Sequence, residues 1–171
     1  RGKFVVLNAD ITVTDMVGTS SNKFKGTFDG NGHKLTFTAT TSEQYCAPFR
    51  YVENATIVNL HTTGSITTSK KFSAGIVAHT KNTTAISNCW SSVNIISSVS
   101  GDGSHGGIVA YTEENASNTT LADCLFDGSI TGENTNSCGG LIGWNYDKAT
   151  LNNCVFRPTS ITLANGDNAT F

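Results

Sequence analysis

The chain has 171 residues and a formal net charge of −2. Only 14 % of its residues are charged, well below the usual quarter, and Thr, Ser, Asn and Gly make up the difference. No basic run supplies the electrostatic footprint of a nucleic-acid-binding protein, and no stretch approaches the roughly 18 apolar residues that a membrane-spanning helix needs. The glycine-rich, β-branched, helix-poor composition predicts one all-β domain over residues 1–171.

Residues 1–44 form an N-terminal region in which Phe4–Val13 is predicted to be the first strand, where it begins or caps the fold. Further on, Asp29-Gly30-Asn31-Gly32 is a strong tight-turn signal between two alternating runs. The turn offers oxygen ligands, so calcium is an alternative, but the spacing does not match the helix–loop–helix calcium loop. We therefore predict no metal and no cofactor.

Three short blocks recur in order over residues 45–162, which we divide into four repeats of about 30 residues. The first block is 75–78, 107–110 and 140–143, the second 86–89, 121–124 and 151–154, and the third 93–95, 128–130 and 159–161; a degenerate earlier copy is 47–49, 57–60 and 64–66. One such repeat cannot bury its own apolar face, so the copies must stack. The pattern predicts a right-handed parallel β-helix with three short strands per turn.

One copy, residues 107–131, shows how a turn is built. Its first strand starts at Gly107, and Glu113–Thr120 is polar and predicted to be a loop. The predicted inward side chains of the later strands are Leu121, Cys124, Phe126 and Ile130. Closing each turn into a coil buries one face of every strand.

Asn or Asp recurs at one position of the repeat, at Asn59, Asn88, Asp123 and Asn153. These residue types tolerate tight bends and satisfy backbone groups locally. We expect them either to be ordinary turn residues or to stack and hydrogen-bond along the coil.

Three of the five cysteines, Cys89, Cys124 and Cys154, also hold one repeat position, whose equivalent in the first copy is Leu60. That leucine favours cysteine packed as a small apolar residue. A disulfide stays open, because neighbouring strands lie at a suitable distance, although three equivalent positions leave one cysteine over. A row does not offer the tetrahedral arrangement that zinc needs.

A candidate ligand-binding strip is formed by His79, Tyr111 and Trp144, which follow the first strand of their repeats at one position. If Ile76, Ile108 and Leu141 point inward, alternation turns these residues outward together with Val77, Val109 and Ile142. Stacked aromatic rings suit sugar rings or a protein partner. The alternative is that the strip lies under the long loops and packs against them.

No arrangement typical of a catalytic site is found. Asp123 and Asp127 share one repeat, but the neighbouring copies carry no carboxylate at those positions. The four histidines are scattered without a serine or aspartate at a recognised offset. We predict a non-catalytic protein with no catalytic residues.

Three kinds of block in this chain resemble the GLUG-motif repeat proteins. They are the glycine blocks Gly139-Gly140-Leu141-Ile142-Gly143, 74–78 and 106–110, the blocks of the Ile86-Ser87-Asn88-Cys89 type, and the upstream residues 28–33. The resemblance covers roughly residues 24–162. It implies right-handed parallel β-helix modules of secreted and surface-anchored bacterial proteins, such as adhesins and the non-catalytic parts of immunoglobulin A peptidases.

The predicted function is an adhesin-like structural and binding module, secreted or at the cell surface, whose partner is a host or cell-surface glycan or protein. Five N-glycosylation sequons point weakly to export. The abrupt start at Arg1 suggests that further domains belong to the same polypeptide. The alternatives are a non-catalytic segment of a large secreted peptidase or glycan-active enzyme and, less favoured, a polysaccharide lyase or hydrolase. Neither nucleic acid nor membrane insertion is expected.

Overall fold

A computed structural model describes residues 2–164, and its regular secondary structure consists of parallel β-strands. The strands are β1 Lys3–Val6, β2 Ile11–Val13, β3 Phe24–Asp29, β4 Lys34–Thr41, β5 Phe49–Val58, β6 His61–Thr68, β7 Val77–Ser87, β8 Trp90–Ser97, β9 Gly101–Asp102, β10 Val109–Ala122, β11 Leu125–Phe126, β12 Ser129–Gly132, β13 Thr135–Asn136, β14 Ile142–Asn145, β15 Lys148–Asn152, β16 Val155–Phe156 and β17 Ser160–Leu163. Within the described residues no helix is long and apolar enough to cross a membrane.

The chain alternates between two sheets. The first sheet has the order β1-β3-β5-β7-β10-β14, with β15 also on β10; the second runs from β2 through β4, β6 and β8 to β11 and β12, and then to β16 and β17. Strands β9 and β13 form a small third sheet. Because each strand pairs in parallel with its counterpart one repeat away, equivalent positions lie side by side. The prediction of an all-β fold with parallel sheets is confirmed.

The N-terminal region continues the same two sheets. The predicted strand Phe4–Val13 is wrong as one element, since β1 lies in the first sheet and β2 in the second. The tight turn is confirmed: Asn31 and Gly32 have φ values of 52° and 76°, and the His33 amide donates to the Gly30 carbonyl at 2.8 Å. It joins strands of different sheets.

The core is a continuous column of apolar side chains between the sheets. The predicted inward set is confirmed, because Leu121, Phe126 and Ile130 have no exposed surface and Cys124 is 2 % exposed. In the preceding repeat, β8 contributes Val93 and Ile95 to the same column.

The stacking of the cysteine position is confirmed. The backbone amide that follows each of these positions donates to the carbonyl of the equivalent position one repeat earlier. Trp90 donates to Leu60, Leu125 to Cys89 and Val155 to Cys124, at 2.8–2.9 Å. All five cysteines are free thiols. The Sγ–H groups of the three stacked cysteines bond to backbone carbonyls, as Cys89 does with Ser87 at 3.2 Å. The packing interpretation therefore accounts for the row.

The stacking of the asparagine position is also confirmed. The Asn59 amide donates to Asp29 at 3.0 Å, Asn88 donates to Asn59 at 2.8 Å, and Asn153 donates to Asp123 at 2.6 Å. The four predicted positions have φ values between 50° and 53°. Asn and Asp adopt this left-handed conformation more readily than other side chains. The bend therefore also places a side-chain amide in the ladder at Asn59, Asn88 and Asn153, and an acceptor at Asp123.

A second asparagine bend lies inside the long strands, at Asn54, Asn82 and Asn115, with φ values of 49°, 54° and 53°. The predicted loop Glu113–Thr120 is wrong, because β10 runs through it. The pairing of β10 with β7 breaks only between Thr112 and Ser117 and then resumes. Each of these asparagines opens a sequon, so the bend explains why Asn recurs there. The sequon at Asn168 lies outside the described residues.

The repeated glycines are required by close approach. A Cβ atom on Gly107 would overlap the ring of Phe126 and the carbonyl oxygen of Gly140. A Cβ on Gly140 would lie 2.7 Å from the Phe156 ring. In these two repeats the first block therefore passes directly over an aromatic side chain of the second sheet, whereas the equivalent Gly75 lies over Ser91.

Candidate functional site

The predicted strip lies on the first sheet, and its three residues are neighbours. Tyr111 pairs with His79 on one side and with Trp144 on the other. Tyr51 extends the row, because it pairs with His79. Sequence analysis missed Tyr51, since the first repeat is degenerate around it. We call Tyr51, His79, Tyr111 and Trp144 the aromatic row.

Two loop side chains cover the middle of this row. Tyr45 and Phe72 stack on each other with ring centroids 4.9 Å apart; Tyr45 lies 5.2 Å from His79, and Phe72 lies 5.0 Å from Tyr111. Phe72 is also part of a small apolar cluster with Ala78 and Ala110. Burial raises the pKa of Tyr45 to about 12. The alternative that loops pack on the row is confirmed for this part of it.

His79 lies inside the covered part and is 8 % exposed. Burial lowers the pKa of its imidazole to about 4, more strongly than the nearby Glu113 carboxylate raises it. The ring is therefore neutral at pH 7, and its Nε2 lies 3.6 Å from Glu113 Oε2. Its Nδ1 is buried without a hydrogen-bond partner. A role of His79 in ligand contact stays a prediction.

The accessible part of the row is its end at Trp144, which is 39 % exposed. Tyr146 is 47 % exposed and stacks with Trp144 at 6.2 Å and an interplanar angle of 12°. The Lys71 ammonium lies 5.6 Å from the Trp144 ring centroid and is held by Asp102 at 2.6 Å. Two exposed rings beside a positioned cation and a carboxylate make an amphipathic surface.

The simple alternation that predicted the row is wrong for its neighbours. Val77 and Val109 were expected to face outward, but both are fully buried in the main core, together with Ile76 and Ile108. Ile142 is partly buried against the same core. Consecutive apolar residues are buried here because Val77 and Val109 pack in the main core, whereas Ala78 and Ala110, which follow them, pack in the separate small cluster with Phe72.

A polar and aromatic cluster on the second sheet was not predicted. His61 and Trp90 stack at 4.0 Å with an angle of 4°. The Trp90 Nε1–H and the Ser92 hydroxyl both donate to Asp127 Oδ1 at 2.7 Å, and Arg157 lies 3.8 Å from the other carboxylate oxygen. These residues follow the Leu60 and cysteine positions of successive repeats, so repeat alignment could have found them.

This cluster holds a histidine, a serine and an aspartate, but not in the order of a catalytic triad. The Ser92 hydroxyl gives its proton to Asp127, so the His61 Nε2 at 3.1 Å must act as donor to Ser92. Burial lowers the pKa of His61. A nucleophilic serine needs the opposite polarity, with its proton given to the imidazole. The arrangement anchors Trp90 and does not activate Ser92.

A second buried histidine, His105, is part of an internal network. Its Nδ1 accepts a hydrogen bond from the Ser73 amide at 3.1 Å, so its Nε2 carries the proton and donates to Ser97 Oγ at 2.9 Å. The side chain has no exposed surface, and burial lowers its pKa to about 4. His105 is therefore a neutral structural residue that links the loop before β7 to the end of β8.

Residues 2–164 contain no group of three or more His, Cys, Asp or Glu side chains that could hold a metal ion. At the predicted turn, the Asp29 Oδ1 accepts from the Asn31 amide at 2.7 Å and from Asn59.

Comparison of the chain with family models, curated proteins and solved structures gave no match.

Proposed function

We propose that the chain is a right-handed parallel β-helix that serves as a non-catalytic binding module of a secreted or cell-surface protein, similar to GLUG-motif modules. The support for the coil is that successive chain segments alternate between two parallel sheets and pair with their copies one repeat later. Parallel crossover connections are right-handed in about 98 % of cases. Such a coil is rigid and presents fixed positions along its axis.

The binding surface that we propose is the exposed end of the aromatic row, with Trp144, Tyr146 and Lys71. The observation that carries this proposal is the large exposed fraction of both rings next to a cation fixed by Asp102. Along the rest of the row the ring faces are occupied, since His79 and Tyr111 stack on each other at 5.1 Å. A sugar ring or an apolar side chain of a partner can reach Trp144 and Tyr146.

The test compares the two tryptophans of the chain. Wild type, Trp144→Ala, Tyr146→Ala and the control Trp90→Ala are screened on a glycan array and against candidate surface proteins. We expect a bound partner whose affinity falls at least about tenfold in the Trp144 variant, because tenfold corresponds to about 1.4 kcal/mol and truncating an aromatic hot-spot residue costs about 2 kcal/mol or more. Trp90→Ala should bind like wild type. Equal loss in both variants, or binding unchanged by Trp144→Ala, would overturn the proposal.

A further inference from the structure

At the opposite end of the first sheet lies a cavity of about 520 Å³, a size typical of small-molecule sites. Its walls include Lys3 on β1, Phe24 and Lys25 on β3, and Asn22 and Lys23 from the preceding segment. Three of the chain's 11 basic residues thus line one cavity of a protein whose net charge is −2.

The walls are held by backbone contacts. The Val17 amide donates to the Pro48 carbonyl, and the Arg50 amide donates to the Val17 carbonyl, both at 2.8 Å. Gly18, with a φ of 86°, passes so close to β5 that a Cβ atom would overlap the Tyr51 carbonyl oxygen. The segment that carries Asn22 and Lys23 is therefore fixed on the sheet.

Individual side chains of the cavity are also positioned. The Lys23 ammonium donates to the Ser20 carbonyl at 2.6 Å, and the Asn22 amide donates to Thr19 Oγ1 at 3.0 Å. Phe24 packs against the core, with its ring 5.8 Å from that of Phe49. The cavity combines one apolar wall with a positioned ammonium group on a segment that its own hydrogen bonds hold in place.

The charge in the cavity is only partly compensated. Lys25 pairs with Glu53 at 2.8 Å, and the other Glu53 oxygen accepts from Asn82 at 2.9 Å. The next acid along the sheet, Glu113, is paired with Lys81 at 2.9 Å. Among the ion pairs of residues 2–164, none involves Lys3 or Lys23. Two ammonium groups are thus left to attract an anion.

The geometry points to a second binding site in this cavity, for a sugar unit that carries a carboxylate or sulfate group, with Lys3 and Lys23 facing the anion and Phe24 beside the ring. Lysine supplies compact point charges that attract an anion without requiring bidentate geometry, and the Phe24 ring beside them favours an anion carried on a sugar ring. The anion part of this inference is independent of the Trp144 surface; the sugar part rests on the proposed function.

The test is calorimetric titration with a glucuronate-containing oligosaccharide, a sulfated one, a neutral one of equal length and inorganic sulfate. We expect one or both acidic sugars to bind, with weaker binding at higher salt because exposed charges are screened. Tight binding of the neutral sugar, no binding of either acidic sugar at millimolar concentration, or inorganic sulfate binding as well as the sugars would overturn the inference.

Matched variants separate the cavity from general attraction. The double variant Lys3→Ala with Lys23→Ala and the control Lys70→Ala with Lys148→Ala remove equal charge at exposed or half-buried positions. We expect about tenfold weaker binding in the first and little change in the second. Glu53→Gln, which frees Lys25, should bind more tightly. Equal losses of affinity in both double variants would refute the site. Trp144→Ala should leave the binding of the acidic sugar unchanged. If Trp144→Ala weakened it as much as the Lys3 and Lys23 double variant, the sugar would bind at the Trp144 surface and the inference would be overturned.

Discussion

At the scale of single residues, the two most perturbed imidazoles are those of His79 and His105. Both lie where a charge would be costly, one under aromatic rings and one in a fully buried network. Neutral imidazole is an adequate hydrogen-bond partner in the second case, because one nitrogen accepts and the other donates. These histidines therefore link folding to protonation.

We expect the free energy of unfolding to fall as pH is lowered from about 6.5 to about 4. The unfolded chain binds protons at these histidines near the ordinary pKa of 6.5, whereas the folded chain holds their pKa values at about 4. Stability is thus complete above pH 6.5 and is lost through this window, by at most about 3 kcal/mol per histidine. Urea unfolding followed by circular dichroism at several pH values measures this loss.

His105→Asn and His79→Asn serve as paired variants in the same measurement. Each removes one titrating ring, so each should flatten about half of the pH dependence, even though His105→Asn also lowers stability at pH 7.5. A wild-type stability that is constant between pH 6.5 and 4.5 would contradict the assignment of both rings as neutral.

At the scale of an element, the asparagine ladder combines a backbone conformation with a side-chain hydrogen bond. Asn88 has a φ of 50° and donates to Asn59 at 2.8 Å. Glycine adopts the same φ without the amide, and alanine lacks both advantages. Substitutions at this position can therefore separate the two contributions.

We predict that Asn88→Gly costs about 1 kcal/mol of stability and Asn88→Ala about 2 kcal/mol, since a hydrogen bond and a left-handed residue each contribute on the order of 1 kcal/mol. Guanidinium unfolding of the three proteins gives the values. If the alanine variant were as stable as the glycine variant, the bend conformation would not be limiting.

The repeats made much of the element level predictable. Aligning Leu60 with Cys89 and Cys124 was enough to predict that these residues stack. When each strand pairs in parallel with its copy one repeat away, equivalent residues lie next to each other. Alternation predicted one buried side of this strand, but Val77 packs in the main core while the next residue, Ala78, packs in a separate cluster with Phe72, which arrives from a loop. The lysine cavity was missed for a similar reason: Lys3 and Lys23 meet only after β1 pairs with β3.

At the scale of the whole molecule, each layer contacts mainly its neighbours, so opening should begin at the ends of the stack. The thiols report on this, because they lie at different depths. Cys46, Cys89, Cys124 and Cys138 are at most 2 % exposed, and Cys154 is only partly buried. Burial raises the pKa of Cys46 and of Cys138 to about 11, which also suppresses their reactive thiolates.

We predict that Cys154 reacts with a maleimide first in the native protein and that the four buried cysteines react only on slower opening. Mass spectrometry of digests taken over time measures the order, and all five should react quickly in denaturant. Labelling of Cys89 as fast as that of Cys154 would show that the layers do not protect one another.

The break in pairing between β7 and β10 has a consequence for how such a chain can vary. Lys81 alone spans the gap in β7, whereas residues 113–116 span it in β10, and the ladder resumes on both sides in register. Length changes at this corner are therefore absorbed locally. A foreign peptide grafted at this corner should leave the neighbouring turns intact, which makes the corner a natural point for diversification and a practical one for epitope insertion.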